Sequence, residues 1–145
     1  MPSVPLEIGE IITVDVTPPA AQANFLYLLP HHFMYRLLAI SWRITADANV
    51  ANRYPGVVVT EVGGQRREFH AVTAITASQV VDVDFNAGLG IPAAFVANSH
   101  YTCSLPDSFY LYANATINSD MLQMQITDQL TDCQIVLARW PQRSI

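Results

Sequence analysis

The chain has 145 residues, 51% of them apolar and only 13% charged, with a net charge of −5; an ordinary domain carries about 25% charged residues. That length fits one domain with a real hydrophobic core. No stretch approaches the roughly 20 unbroken apolar residues of a membrane span, and the acidic balance argues against sequence-independent nucleic-acid binding, which needs clustered basic residues.

In chain order, Met1, Pro2, Ser3, Val4, Pro5 and Leu6 open an arm (1–7) with two prolines and no core period. It is expected to lie extended on a neighbouring subunit and add to its sheet edge. No basic segment precedes an apolar run here, so folding in a cytoplasm is expected and not secretion. A single β-sandwich domain is expected over 8–145. Its first strand is predicted over 8–16, with Ile12, Val14 and Val16 on one face, stopped by Pro18-Pro19. A second apolar stretch spans 24–29. The longest strand is predicted over 35–45, with Leu38, Ile40, Trp42 and Ile44 sharing a face and Ser41 and Arg43 turned away.

Residues 47–53 read as a loop rich in Asp and Asn. A strand over 57–62, a two-residue turn at Gly63-Gly64 and a return over 65–72 make a hairpin. Strands follow over 80–85, 101–105, 109–115, 122–127 and 134–140, with a Gly/Pro-marked loop over 86–92 and one short helical turn over 92–98. Eight or nine short strands with turn signals between them indicate an all-β sandwich or barrel. With no helical period to form crossovers, the sheets are expected to be antiparallel.

All seven basic residues are arginine and none is lysine. Lysine is depleted from interfaces and arginine suits them; GC-rich coding explains the same bias. The apolar surplus must be buried outside a bilayer, and a subunit interface is the simplest place. Cys103 and Cys133 either pair or remain buried thiols, and neither has zinc-ligand spacing.

The sequence carries no recognisable catalytic set, so an enzyme is not expected. His31 and His32 follow a proline between strands, while His70 and His100 have no carboxylate or serine motif beside them in sequence. Gly88-Leu89-Gly90 lacks the helix of a dinucleotide loop. Asp82 and Asp84, at i and i+2 of a strand, share a face and form a weak candidate for calcium or hydrolysis, against the simpler reading of a wetted strand face. Asp128 and Asp132 read as turn residues. Tyr110 and Tyr112 share a face and are candidates for stacking on glycans, against core or interface packing. In the 47–53 loop, Asn52 suits left-handed backbone and Arg53 is expected to pin the loop through Asp47, or else to reach a neighbouring subunit.

The segment beginning at Tyr35, YRLLAISWRITADANVANRYPGVVVTEVGG, resembles small virion proteins of tailed bacteriophages, in residues 48–53, Pro55, 57–59 and Gly63-Gly64. LPDSFYLYANATINSDMLQMQI and the terminal IVLARWP are similar to later parts of that family, and the likeness covers roughly two-thirds of the chain. It departs at Ala138-Arg139, where the family often has acidic residues, and in the strongly apolar 24–32 segment. The resemblance implies a jelly-roll-like antiparallel β-sandwich used as a capsid decoration (cement) protein. The subunit would have no cofactor and would bind the major capsid protein or other virion subunits. It would form a homo-oligomer, a trimer first, in a particle assembled in the host cytoplasm. A tail, baseplate or fibre module touching host glycans is the alternative, and a stand-alone carbohydrate-binding jelly roll the third.

Overall fold

A computed structural model describes residues 9–88, 95–97, 99–107 and 109–141. They form β1 (Glu10–Val16), β2 (Leu26–Leu28), β3 (Phe33–Thr45), β4 (Gly56–Thr60), β5 (Arg66–His70), β6 (Val80–Ala87), β7 (Phe95–Ala97), β8 (His100–Leu105), β9 (Tyr110–Tyr112), β10 (Thr116–Ser119) and β11 (Gln129–Pro141), with no helix among the described residues.

Two layers result. One is ordered β1-β11-β3-β6-β8-β7, with β9 also on β3, and the other β2-β10-β4-β5. Outer strands pair with outer strands: β1 with β11, β2 with β10, β3 with β6 and β4 with β5, all antiparallel. This is one long hairpin rolled up so that successive pairs fall in alternate sheets, the jelly-roll arrangement. Apolar alternation drives it. Ile12, Val14 and Val16 pack inward from β1, and Val57 and Val59 from β4. Between the layers Trp42 stacks on Phe85 and meets the edge of Phe25, both at 5.8 Å between centroids.

Several expectations change. There are eleven strands among the described residues, not eight or nine. β8 runs parallel to β6, with Asp82 opposite His100. The connection between them carries β7, and its described residues (88, 95–97 and 99) form no helix. Residues 95–97 form β7, not a helical turn; positions 92–94 and 98 lie outside the described residues. The 122–127 strand is replaced by turns, and β10 precedes it.

Two bulges reset the alternation. Leu137 pairs Leu37 and Val136 pairs Ala39, so Leu38 is the extra residue. The core face of β3 is therefore Tyr35 and Leu37, then Ile40, Trp42 and Ile44, and Leu38 falls out of it. A second bulge at Asp132 and Cys133 opposes Trp42, with Asp132 left-handed (φ +52°); Asp132 is a bulge residue and not a turn residue. Glu61 and Gln65 close the β4–β5 turn around three residues, not two. Glu61 N–H donates to Gln65 O and Gly64 N–H to Glu61 O, both at 2.8 Å. Only Gly64 has positive φ (+84°), whereas a two-residue type I′ turn needs it twice.

Candidate functional site

Two polar clusters stand out, one buried and one open. The buried cluster ties the loop after β3 to the segment before β11. Arg53 and Asp128 are each 0% exposed. Arg53 Nε donates to Asp128 Oδ2 at 2.6 Å and Nη2 to Asp128 Oδ1 at 3.1 Å. Nη2 also reaches Asp47 Oδ1 at 2.9 Å and the carbonyl of Asn49 at 3.1 Å, and Nη1 the carbonyl of Ala51 at 3.0 Å. Asp128 accepts further bonds from the backbone N–H of Asp47 and of Gln125, both at 2.7 Å. Every nitrogen of the guanidinium is engaged, as a buried charge requires.

Asp47 accepts from Thr127 N–H and hydroxyl and from Asn49 N–H and side-chain amide. Burial pushes its carboxyl pKa up, but these bonds outweigh burial and bring it down to about 2. The structure thus joins Asp47 to Arg53 within one chain. Asn52 is exposed and is not left-handed, so the left-handed role expected of it is absent. Asp128, which read as a turn residue, is Arg53's main partner. It lies 75 positions away in sequence, and no local pattern links the two.

The open cluster lines a groove of about 590 Å³ on the outer face of the larger sheet, bordered by Asp15, Ser41, Arg43, Asp82, Asp84, His100, Asp132 and Gln134 among others. Alternation puts Asp82 and Asp84 on this one face. Each is already engaged. Arg43 Nε donates to Asp82 Oδ1 at 2.8 Å, and Arg43 also lies 3.7 Å from Asp132. Asp84 meets His100 Nε2 and accepts from Asn86 Nδ2 at 2.7 Å. The Arg43 hydrogen bond is the main reason the Asp82 carboxyl lies below its usual pKa, against the opposing effect of burial. A divalent cation would have to displace these partners. Among the described residues no group of three or more His, Cys, Asp or Glu is arranged to hold a metal ion.

The histidines that looked solitary in sequence each have a carboxylate in space: His100 meets Asp84, and His70 Nε2 lies 2.7 Å from Asp120. The second pair needs a glycine beside it, because a Cβ at Gly56 would sit 2.1 Å from the His70 ring. No serine or cysteine hydroxyl or thiol is bonded to either imidazole among the described residues. Cys103 and Cys133 are free and buried. Burial first, then Asp84, pushes the Cys103 thiol up to about 12; burial first, then Asp132, pushes Cys133 up to about 11. Both stay as inert thiols at neutral pH.

Tyr110 and Tyr112 share the outer face of β9, with Leu111 in the core. Tyr110 is half-buried against Trp140, 6.0 Å between centroids, and Tyr112 is exposed. The arm residues Met1, Pro2, Ser3, Val4, Pro5 and Leu6 lie outside the described residues. No family model, curated protein or solved structure matches this chain.

Proposed function

We propose that this chain is a structural subunit of a bacteriophage virion, most simply a capsid decoration protein that stabilises the particle by binding across neighbouring subunits. The observation that carries the proposal is an apolar surface on a rolled-hairpin sandwich. Ile11, Leu26, Leu28, Val50, Val62, Val72 and Ile126 are all more than half exposed, on a chain with few charges to keep it apart from neighbours. Such surface is stabilised by burial at about 25 cal/mol per Å² before the costs of association. The rolled-hairpin architecture recurs in viral capsid subunits, although a fold alone does not assign a function. The sequence resemblance to phage virion proteins points the same way.

In this reading the partners are the major capsid protein or other virion subunits, the subunit is a homo-oligomer, and its place is the particle assembled in the host cytoplasm. The test is a cryo-EM map of the intact particle with mass spectrometry of its proteins. Density for this sandwich between capsomers is the expected result, and absence of the chain from purified particles overturns the proposal. Exposed Tyr112 beside the Tyr110–Trp140 pair supports a second reading, a tail, baseplate or fibre module stacking on host glycans. Density at the tail tip together with glycan binding lost in Tyr112→Ala favours it instead.

A further inference from the structure

The outer face of the larger sheet has two ends of different chemistry. At the groove end, three carboxylates are each set beside a donor. Gln134 Nε2 donates to Asp15 Oδ1 at 2.9 Å, Arg43 Nε donates to Asp82, and Asp84 meets Asn86 and His100. At the other end Tyr110 packs on Trp140, with Tyr112 beside them and 43% exposed. Alternation puts both ends on one face. Gln134 and Trp140 are six residues apart on β11, with Ile135 and Leu137 in the core, so they point the same way about 20 Å from each other. Between them β11 turns only Val136 and Ala138 outward, and it raises no barrier along that line.

We infer that this face binds an uncharged oligosaccharide laid along β11, with hydroxyls in the groove and a pyranose ring on Tyr112 at the far end. Two features select a sugar. A hydroxyl donates one hydrogen bond and accepts others. Each carboxylate–donor pair of the groove offers an acceptor and a donor side by side, so a hydroxyl can join a pair without breaking it. A cation would have to compete with Arg43 and His100 for their carboxylates. An anion would meet four aspartates against one arginine in the groove lining. The aromatic end supplies the second feature. Tyrosine and tryptophan present an apolar face with a polar tip, which suits a ring that is C–H on its faces and hydroxyl at its rim. The inference rests on the glycan reading of Tyr112 given above and extends it by the groove and by the absence of charge on the ligand. It does not depend on where in a particle the chain resides, because its test is read on the isolated chain.

The test screens the full chain on an array of neutral and acidic oligosaccharides, with an arginine-rich peptide as a rival ligand. The best neutral hexasaccharide is then titrated by NMR. The side-chain amides of Gln134 and Asn86 and the indole N–H of Trp140 should shift together along one binding curve, and the corresponding monosaccharide should bind far more weakly. Tyr112→Ala and Gln134→Ala, both at exposed positions, should each weaken binding about tenfold and leave the melting temperature unchanged. Three results overturn the inference. No neutral oligosaccharide binds, which sinks the glycan reading with it. Shifts stay at the aromatic end and Gln134→Ala binds like the parent, in which case the glycan reading stands and the groove has no part in it. Acidic glycans or the peptide bind in preference, which means that charge and not hydroxyl chemistry selects the ligand. The shifts come from the unmodified chain, so they decide the matter even if a variant folds poorly.

Discussion

Arg53 and Arg43 make the same kind of contact, a guanidinium beside two aspartates, in opposite surroundings. Arg53 is sealed from water with Asp128 and Asp47, and all its nitrogens are engaged. Arg43 and Asp82 lie in the open groove, their side chains 46% and 47% exposed, with Asp132 further off. In a buried cluster, desolvation makes every unmade bond costly, so the cluster is all-or-none. In the groove, water substitutes for any partner that leaves, so the ion pairs contribute little and stay available to a ligand. One cluster fixes the fold, and the other leaves a surface that can change partners.

The sharpest way to break this contrast is Arg53→Ala. It leaves Asp128 buried without its main partner and should cost about 3–5 kcal/mol in urea unfolding. Arg53→Lys should recover little of that, because an ammonium cannot reproduce the forked contact to Asp128 together with the Asn49 and Ala51 carbonyls. Asp128→Asn keeps the shape and removes the charge. Asp47 remains beside Arg53, so the loss should be smaller, about 2–3 kcal/mol. If either variant unfolds like the parent chain, the buried cluster is not what holds the 47–53 loop.

Acid separates the clusters further. The Asp47 carboxyl has a folded pKa of about 2, below the unfolded value of about 3.9. Between those values the unfolded chain binds more protons, so stability rises with pH there. The contribution is full above about pH 4 and is lost as pH falls through 2. Asp47→Asn should flatten this part of the stability–pH curve measured by urea unfolding at pH 2 to 5. An unchanged slope would show that the Thr127 and Asn49 bonds do not hold the ionised carboxylate.

Much of the fold was legible because two-residue alternation and prolines are local signals. Ile12, Val14 and Val16 face the core as their spacing requires, and Tyr110 and Tyr112 share an outer face. Other features depended on register, which no local window carries. Leu38 lost its core position to a bulge defined only by its pairing with Val136 and Leu137 of β11, far away in sequence. The parallel β6–β8 pair depends on a crossover whose described residues form β7 and no helix. The polar sites were legible in part. The Asn- and Asp-rich loop drew attention to Arg53 and Asp47, but Asp128 looked like an ordinary turn residue. The His100–Asp84 pair forms only once β6 meets β8, and the His70–Asp120 pair only once β4 lies between β5 and β10, with Gly56 leaving room for the contact across it. Side chains chosen for long-range partners leave no pattern beside them in the chain.

The smallest expected effect is the one that completes the comparison. Arg43→Ala removes a guanidinium that bonds Asp82 at 2.8 Å, a contact no longer than several in the buried cluster. If contact distance alone set its worth, the loss would rival that of Arg53→Ala. Both side chains are about half exposed, however, so water can hydrate Asp82 when Arg43 leaves, and the pair is also screened. The Debye length falls from about 30 Å at 0.01 M salt to about 3 Å at 1 M. The loss should therefore be about 1 kcal/mol or less at low salt and vanish at 1 M. Arg53→Ala should cost nearly the same at both salts, because its partners are out of reach of the ions. Parallel urea titrations of the two variants at both salts check this. A salt-insensitive loss of several kcal/mol for Arg43→Ala would mean that the groove pair is shielded from water and belongs with the structural core.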